Sequence, residues 1–300
     1  MTEPHVDEIV DALTAAAPLL GEPGAAPTGT RVAFEVERSG TAGVLTGLRA
    51  ALTTSDDHVA AVDAFAAAAR ALRDRLGQPC DRRAGGHATL TWLHGETRRR
   101  GLHRRRPIHL TLELSTAAPS VHIGLRVPRE NSTHPVKAAQ PGPADAPATV
   151  PSRRPTTDRS EPSTTVPSGQ PGDWPAYTRA LAVAIVELTD DEFGILVAPG
   201  GDDYVQVVQF GCGWSDGLLA ETAGSANRGP GRELSTAQCR RLAAIGFAGP
   251  DQDTGNWSVD LPWPATWSDY HRIASMLVSA LRDVYGVHDP TGVTRDGHWT

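Results

Sequence analysis

Alternating apolar and polar positions in the C-terminal part of the chain predict a fixed order of helices and strands. Asp173 is placed to cap a first helix, in which apolar residues recur every three or four positions. Short apolar runs at 193–198, 204–210 and 218–221 predict three antiparallel strands. The turn-forming residues at 199–202 are typical of a hairpin between the first two strands.

Two capping boxes mark the remaining helices of this part. Ser235 stands three residues before Gln238 and predicts the start of a helix that ends at Gly246. Thr266 stands three residues before Asp269 and predicts the last amphipathic helix. With a short strand predicted at 256–261, the order becomes α-β-β-β-α-β-α.

The N-terminal part has its own helical and strand patterns. An apolar stripe from Val6 to Leu20 predicts a first helix, and alternation at 32–36 predicts a strand. Ser55 is placed to cap a second helix, which Gly77 ends. Alternating strands follow in a predicted meander; they cover residues 88–92, 108–114 and 121–127.

The last two of these strands can be paired residue by residue. We predict Leu112 opposite Ile123 and Leu110 opposite Leu125 on the core side. The same register sets Glu113 opposite His122 and His109 opposite Arg126 on the outer side. Any shift by one residue would exchange the two sides.

A proline-rich segment separates the two parts. Nine of the 24 prolines lie within 134–172, among Ala, Ser and Thr and with few large apolar residues. Such a composition cannot bury enough surface to offset its ordering entropy, and it predicts a disordered linker. The predicted fold class is therefore α+β with two domains, 1–133 and 173–300, each an antiparallel sheet packed with helices.

Charge is distributed unevenly between the two predicted domains. The whole chain carries a net charge of −7, and residues 173–300 hold 17 acidic residues against eight arginines, a net of −9. Free nucleic acid is thus an unfavourable partner for the C-terminal domain. Lys137 is the single lysine, an imbalance typical of GC-rich bacterial coding.

Cysteine content and the N-terminal residues narrow the classes of protein to which this chain can belong. Cys80, Cys212 and Cys239 are odd in number and far apart, which predicts neither a disulfide framework nor a CxxC site. The acidic N-terminus and the absence of a long apolar run predict a cytoplasmic protein with no membrane partner.

One stretch of the C-terminal domain resembles a known family. Tyr204-Val205-Gln206, Leu219-Ala220-Glu221, Leu234-Ser235, Ile245-Gly246-Phe247 with Pro250, and Asn256-Trp257 follow one another in the order typical of the YbjN-like proteins grouped with the small type III secretion chaperones, called TY-Chap. Phe247 departs from an expected tryptophan. Val207-Val208 is an insertion, so either Gln206 or Gln209 can fill the family's strand glutamine position.

The resemblance implies a sheet with helices on one face, paired with itself or with a relative, which holds a partner polypeptide and catalyses nothing. The candidate partner-binding residues are Tyr204, Gln206, Phe210, Trp214, Glu221 and Trp257. Aromatic residues of this kind are more often part of the core or rim of a small α+β domain than of a recognition surface. An exposed sheet edge or an apolar groove would offer the partner a place to bind.

Six arginines lie on the connection between two N-terminal strands and invite a second interpretation. They are Arg98, Arg99, Arg100, Arg104, Arg105 and Arg106. Such a loop can contact phosphates or nucleic acid, dock on the acidic C-terminal domain, or simply be solvated.

Metal and cofactor sites are not indicated by any motif. His87, His94, His109 and His122 lie near the strands but follow no ligand spacing. No phosphate loop, dinucleotide-binding motif or nucleophile elbow occurs, so an enzyme of unknown type is the remaining alternative. The favoured hypothesis is a non-catalytic polypeptide-binding protein, chaperone-like or immunity-like, that needs no cofactor and can form a homodimer.

Overall fold

Two antiparallel sheets, each with its own helices, form the structure in this computed structural model. The residues that it describes are 5–20, 32–39, 44–54, 57–98, 105–127, 173–190, 193–197, 207–212, 217–225, 233–250 and 255–296. The predicted α+β class is confirmed. The proposed linker at 134–172 lies outside the described residues, so the division into domains 1–133 and 173–300 stays a prediction.

The N-terminal sheet has six strands. They are β1 (Glu35–Ser39), β2 (Val44–Thr54), β3 (Asp81–Arg83), β4 (Thr89–Arg98), β5 (Arg105–Ser115) and β6 (Ser120–Arg126), in the order β1-β2-β6-β5-β4-β3. The helices α1 (Val6–Ala16) and α2 (His58–Leu76) contact this sheet. Buried side chains of the helices, such as Leu13 and Leu72, form one core with Leu110 and Ile123 of the sheet.

The predicted register between β5 and β6 is confirmed at every position. Leu112 pairs with Ile123, Leu110 with Leu125, Glu113 with His122 and His109 with Arg126. The outer side differs from the expectation at one residue, because His122 is buried, with 8% of its surface exposed. Arg49 and Glu113 form an ion pair of 3.1 Å between β2 and β5, the two strands that flank β6, and these neighbours shield the imidazole.

Three N-terminal predictions need correction. Helix α2 is capped by Asp57, whose carboxylate accepts a hydrogen bond from the Val59 amide at 2.9 Å, and not by Ser55. The strand expected at 32–36 begins only at Glu35. Strand β2 was not predicted, because glycine, arginine and alanine interrupt its alternation; its pairing with β1 and β6 on either side holds it in the sheet.

The C-terminal sheet has five strands. They are β7 (Phe193–Val197), β8 (Val207–Cys212), β9 (Gly217–Thr222), β10 (Trp257–Pro262) and β11 (Thr294–Asp296), in the order β10-β9-β8-β7-β11. The helices are α3 (Trp174–Val186), α4 (Thr236–Ile245) and α5 (Trp267–Ser279). The predicted order of elements is confirmed, and β11 extends it by pairing with β7.

Local capping fixes the ends of these helices as the sequence predicts. The Asp173 carboxylate accepts a hydrogen bond from the Ala176 amide at 3.0 Å. Both capping boxes are formed, Ser235 with Gln238 and Thr266 with Asp269. Gly246 ends α4 in the left-handed conformation, with φ of +115°, which glycine adopts at low cost.

The two sheets are joined by contacts between α2 and the start of α5. The Trp267 amide donates to the Asp63 carboxylate at 2.7 Å, and the Arg73 guanidinium donates to the Trp263 carbonyl at 2.8 Å. The rings of Phe65 and Trp263 meet edge to face with their centroids 6.1 Å apart. Helix α5 is therefore partly covered by the N-terminal region.

A second contact lies at the turn between β3 and β4. The Ala84 amide donates to the Asp190 carboxylate at 3.0 Å, just after helix α3. Gly85, with φ of +117°, approaches Thr189 closely, since an added Cβ would lie 3.0 Å from the methyl carbon of that residue. This turn requires glycine for both reasons.

Candidate functional site

The two faces of the C-terminal sheet differ in burial. In β9, Leu218, Ala220 and Thr222 are buried at 1%, 0% and 1% exposure, whereas Leu219 and Glu221 between them are partly exposed. The Thr222 hydroxyl bonds to Tyr285, in the turn that follows α5, so the buried side faces the helices. Leu219 and Glu221 point to the opposite side, because successive side chains of a strand alternate.

Strand β7 shows the same division. Gly194 and Leu196 are buried, and Phe193, Ile195 and Val197 are partly exposed. Strands β7 and β9 lie on either side of β8, and Ile195 and Glu221 both pair with Gln209 of β8. The two residues therefore lie on the same side of the sheet. We call this side the open face; its described side chains are Phe193, Ile195, Val197, Leu219, Glu221, Ser258 and Asp260.

The ionisable positions of the open face share one sign. Asp260 pairs with Leu219 and is exposed, and Glu221 pairs with Ser258. Among the open-face side chains that the structure describes, both ionisable residues, Glu221 and Asp260, are therefore acids.

The edges of this sheet offer little room for an added strand. Ser258 of β10 already exchanges two backbone hydrogen bonds of 2.8 Å with Ala248. Further along β10, the residues whose backbone groups point away from β9, as those of Ser258 do, are Asp260 and Pro262. Proline has no amide donor. Strand β11, at the other edge, has only three residues. Short strands and proline are common means of protecting sheet edges.

The six candidate partner-binding residues are placed differently from one another. Tyr204, Gln206 and Trp214 lie outside the described residues. Phe210 pairs with Gly194 and Ala220, both of which are buried. Trp257 is buried at 8% exposure beside Gly249, where it packs, and Glu221 alone among the described candidates lies on the open face.

The apolar residues of the open face were not singled out by sequence reasoning. Their alternation predicts a strand, and the structure has β7 at that place. Alternation does not tell which of the two sides the helices cover, because both sides of β7 carry apolar residues. That choice depends on tertiary contacts such as those of α5 with β9.

The arginine-rich connection is described only at its base. Arg98 pairs with Arg105, and Thr97 with Arg106, where β4 and β5 form the stem of a hairpin. Arg99, Arg100 and Arg104 lie outside the described residues, so phosphate contact through this loop stays a prediction.

Burial changes the proton affinity of three N-terminal histidines. Within the described ranges, no group of three or more His, Cys, Asp or Glu side chains is placed to hold a metal ion. Burial lowers the pKa of His94, His109 and His122, and for His122 the charge of Arg49 lowers it further. These imidazoles therefore bind a proton less readily than a free imidazole does.

No helix in the described parts of the chain has the length and apolar character needed to cross a bilayer.

Comparison with known proteins adds one match. No curated protein and no solved structure matches the chain significantly. Residues 168–299 match the family TY-Chap3, described as T3SS (YopN, CesT) and YbjN peptide-binding chaperone 3. The resemblance to the TY-Chap proteins is therefore confirmed for residues 168–299, the C-terminal region of this chain.

Proposed function

We propose that this protein is a non-catalytic polypeptide-binding protein, chaperone-like or immunity-like, whose partner lies across the open face of the C-terminal sheet. The observation that carries the proposal is the row of partly exposed apolar side chains at Phe193, Ile195 and Val197. This row lies within the residues that match a family described as peptide-binding chaperones.

Burial of this row supplies the free energy of association. Apolar surface removed from water contributes about 25 cal/mol per Å². Phe193, Ile195, Val197 and Leu219 are partly exposed, so each has surface left to bury against a partner. The three residues on β7 are spaced two apart along a single strand, and they present one continuous apolar strip.

Limited access to the sheet edges and to the first turn of α5 supports the open face as the binding surface. Added strands need free backbone groups, and Ala248 together with Pro262 leaves few of them along β10. Helix α5 contacts α2 of the N-terminal region at Trp267. Its first turn is therefore not available to a partner.

A matched pair of variants tests the proposal. Ile195→Thr removes apolar surface from the open face but keeps a β-branched side chain, so we expect strand β7 to persist. Leu93→Thr makes the same kind of change at a leucine of the N-terminal sheet that is 64% exposed. Affinity capture from the native host with the full-length chain should recover a defined partner with Leu93→Thr and lose it with Ile195→Thr.

Circular dichroism of both variants checks that they are folded. A partner recovered equally by Ile195→Thr and by the unchanged protein would show that the open face is not the binding surface. The polypeptide-binding proposal would then have to move to another surface of residues 168–299.

A further inference from the structure

A buried histidine and an ion pair lie together on the outer side of the N-terminal sheet. His122 of β6 is paired directly with Glu113 of β5 and has 8% of its surface exposed. Its Nδ1 atom is buried and has no hydrogen-bond partner among the residues that the structure describes. Because a buried polar atom without a partner costs free energy, this nitrogen has a contact to gain.

The ion pair that covers the histidine crosses a whole strand. The Nη2 atom of Arg49 on β2 lies 3.1 Å from the Glu113 carboxylate on β5, although β6 separates the two strands. Gly124 of β6 lies between Arg49 and Thr111 in the register. Because glycine has no side chain, the arginine can extend over β6 at this point. The ion pair therefore passes beside His122.

The charges nearest to His122 come from three neighbouring strands. Arg49 lies on β2 and Glu113 on β5, and Glu35 of β1 lies 3.8 Å from the Nη1 atom of Arg49. Burial lowers the pKa of His122 and the charge of Arg49 lowers it further, whereas Glu35 and Glu113 raise it. The other described ionisable side chains of this side occupy register positions further away; they are Glu37, Asp81, Arg83, His109 and Arg126.

We propose that His122 and Arg49 compete for the Glu113 carboxylate, and that uptake of a proton by His122 exchanges the two partners. When the imidazole is neutral, Glu113 binds Arg49. When it is protonated, both ring nitrogens are donors, and Nδ1 donates to the carboxylate directly opposite. Directly opposite residues have their Cβ atoms about 4.5–5.5 Å apart, which suits an ion pair.

The exchange changes the charge pattern of the outer side without changing the register of the strands. The protonated ring repels the guanidinium of Arg49, which turns towards Glu35, already within ion-pair distance. Since the pKa of His122 is lowered from 6.5, this happens in mildly acidic solution. The sheet thus carries a proton-sensitive switch, independent of the open face of the C-terminal sheet.

Nuclear magnetic resonance of the full-length chain with labelled histidine and arginine tests the switch. The His122 ring and the Nε–H group of Arg49 are followed from about pH 8 to about pH 5. Both signals should change with one midpoint, because a single event moves both groups. His109 is an internal control, since burial also lowers its pKa but it lies opposite Arg126. Its titration should not have the midpoint of the Arg49 signal.

Variants of the two competing partners shift the midpoint in opposite directions. Arg49→Gln removes the repelling charge and should raise the His122 midpoint, whereas Glu113→Gln removes the carboxylate and should lower it. Arg126→Gln is the matched control, because it removes the same charge from the same side of the sheet, four residues along β6 from His122. It should shift the His122 midpoint much less than Arg49→Gln does.

Three results would overturn the exchange. An Arg49 signal that stays constant while His122 titrates would do so in the unchanged protein, with no variant needed. A His122 midpoint that Glu113→Gln leaves in place would show that the carboxylate does not receive the protonated ring. Loss of the folded spectrum at a pH above the His122 midpoint would show that the sheet unfolds instead of exchanging partners.

Discussion

The contact between Asp63 and the first turn of α5 gives the sharpest stability prediction. The Trp267 amide is one of the groups at a helix start that have no partner within the helix. It donates to the Asp63 carboxylate at 2.7 Å, across 204 positions of sequence. Asp63→Ala removes this acceptor and the negative charge next to the positive end of the helix dipole.

The expected loss of stability in Asp63→Ala follows from the solvent exposure of Asp63. A hydrogen bond to a charged group contributes about 1.5–3 kcal/mol when buried. Asp63 is exposed, so solvent screening reduces this to about 1 kcal/mol. A loss of about 1 kcal/mol corresponds to a melting temperature lower by roughly 2–4 °C in a protein of this size class. If opening is local, amide exchange in the first turn of α5 should become about fivefold faster.

Hydrogen exchange followed by mass spectrometry measures this directly. Asp63→Ala should accelerate exchange in a peptide that covers Trp267, whereas Asp74→Ala, at an exposed carboxylate further along α2, should leave it unchanged. Unchanged exchange at Trp267 in the Asp63 variant would refute the role assigned to this contact. The same result would mean that the two regions do not depend on it for their docking.

Three further predictions concern the described residues. Burial lowers the pKa of His122 below its ordinary value of 6.5, so the folded state binds a proton less readily than the unfolded state does. The free energy of unfolding should therefore fall as the pH drops below about 6.5. His122→Gln should flatten this decline when the free energy of unfolding is measured by urea titration at several pH values. Gly224→Ala should unfold the C-terminal region, because an added Cβ would overlap the Gly255 carbonyl oxygen, while Gly95→Ala, with nothing within 4 Å of its Cβ, should fold normally by circular dichroism. Ser235→Ala removes the acceptor for the Gln238 amide and should lower the free energy of unfolding by about 1 kcal/mol in denaturant titrations, with an unchanged value counting against the capping box.

Much of the fold was predictable because its signals are local. Capping depends on residues three apart, so Asp173, Ser235 and Thr266 were identified from the sequence and are confirmed in the structure. The register of β5 and β6 was predictable because both strands alternate and a short turn joins them. Strand β2 was not, because its place depends on pairing with β6, which lies far along the chain.

The candidate site was predictable in part. The family resemblance of the C-terminal region followed from the order of short motifs, and the family match confirms it. The motifs directed attention to aromatic residues, yet Trp257 packs against its neighbours and only Glu221 among the described candidates lies on the open face. Apolar residues that form a core and apolar residues that bind a partner have the same pattern in a strand.

The sequence by itself determined the capped starts of the C-terminal helices, the alternation of β5 and β6, and the acidic balance of the C-terminal region, since each depends on residues close together or on composition alone. Only the tertiary structure decided which face of the C-terminal sheet the helices cover and which is left partly exposed at Ile195. It also decided that Asp63 accepts a hydrogen bond from the Trp267 amide in the first turn of α5. Both depend on contacts between distant segments, and the physical reason is that such contacts are set by how whole elements pack and not by any local spacing.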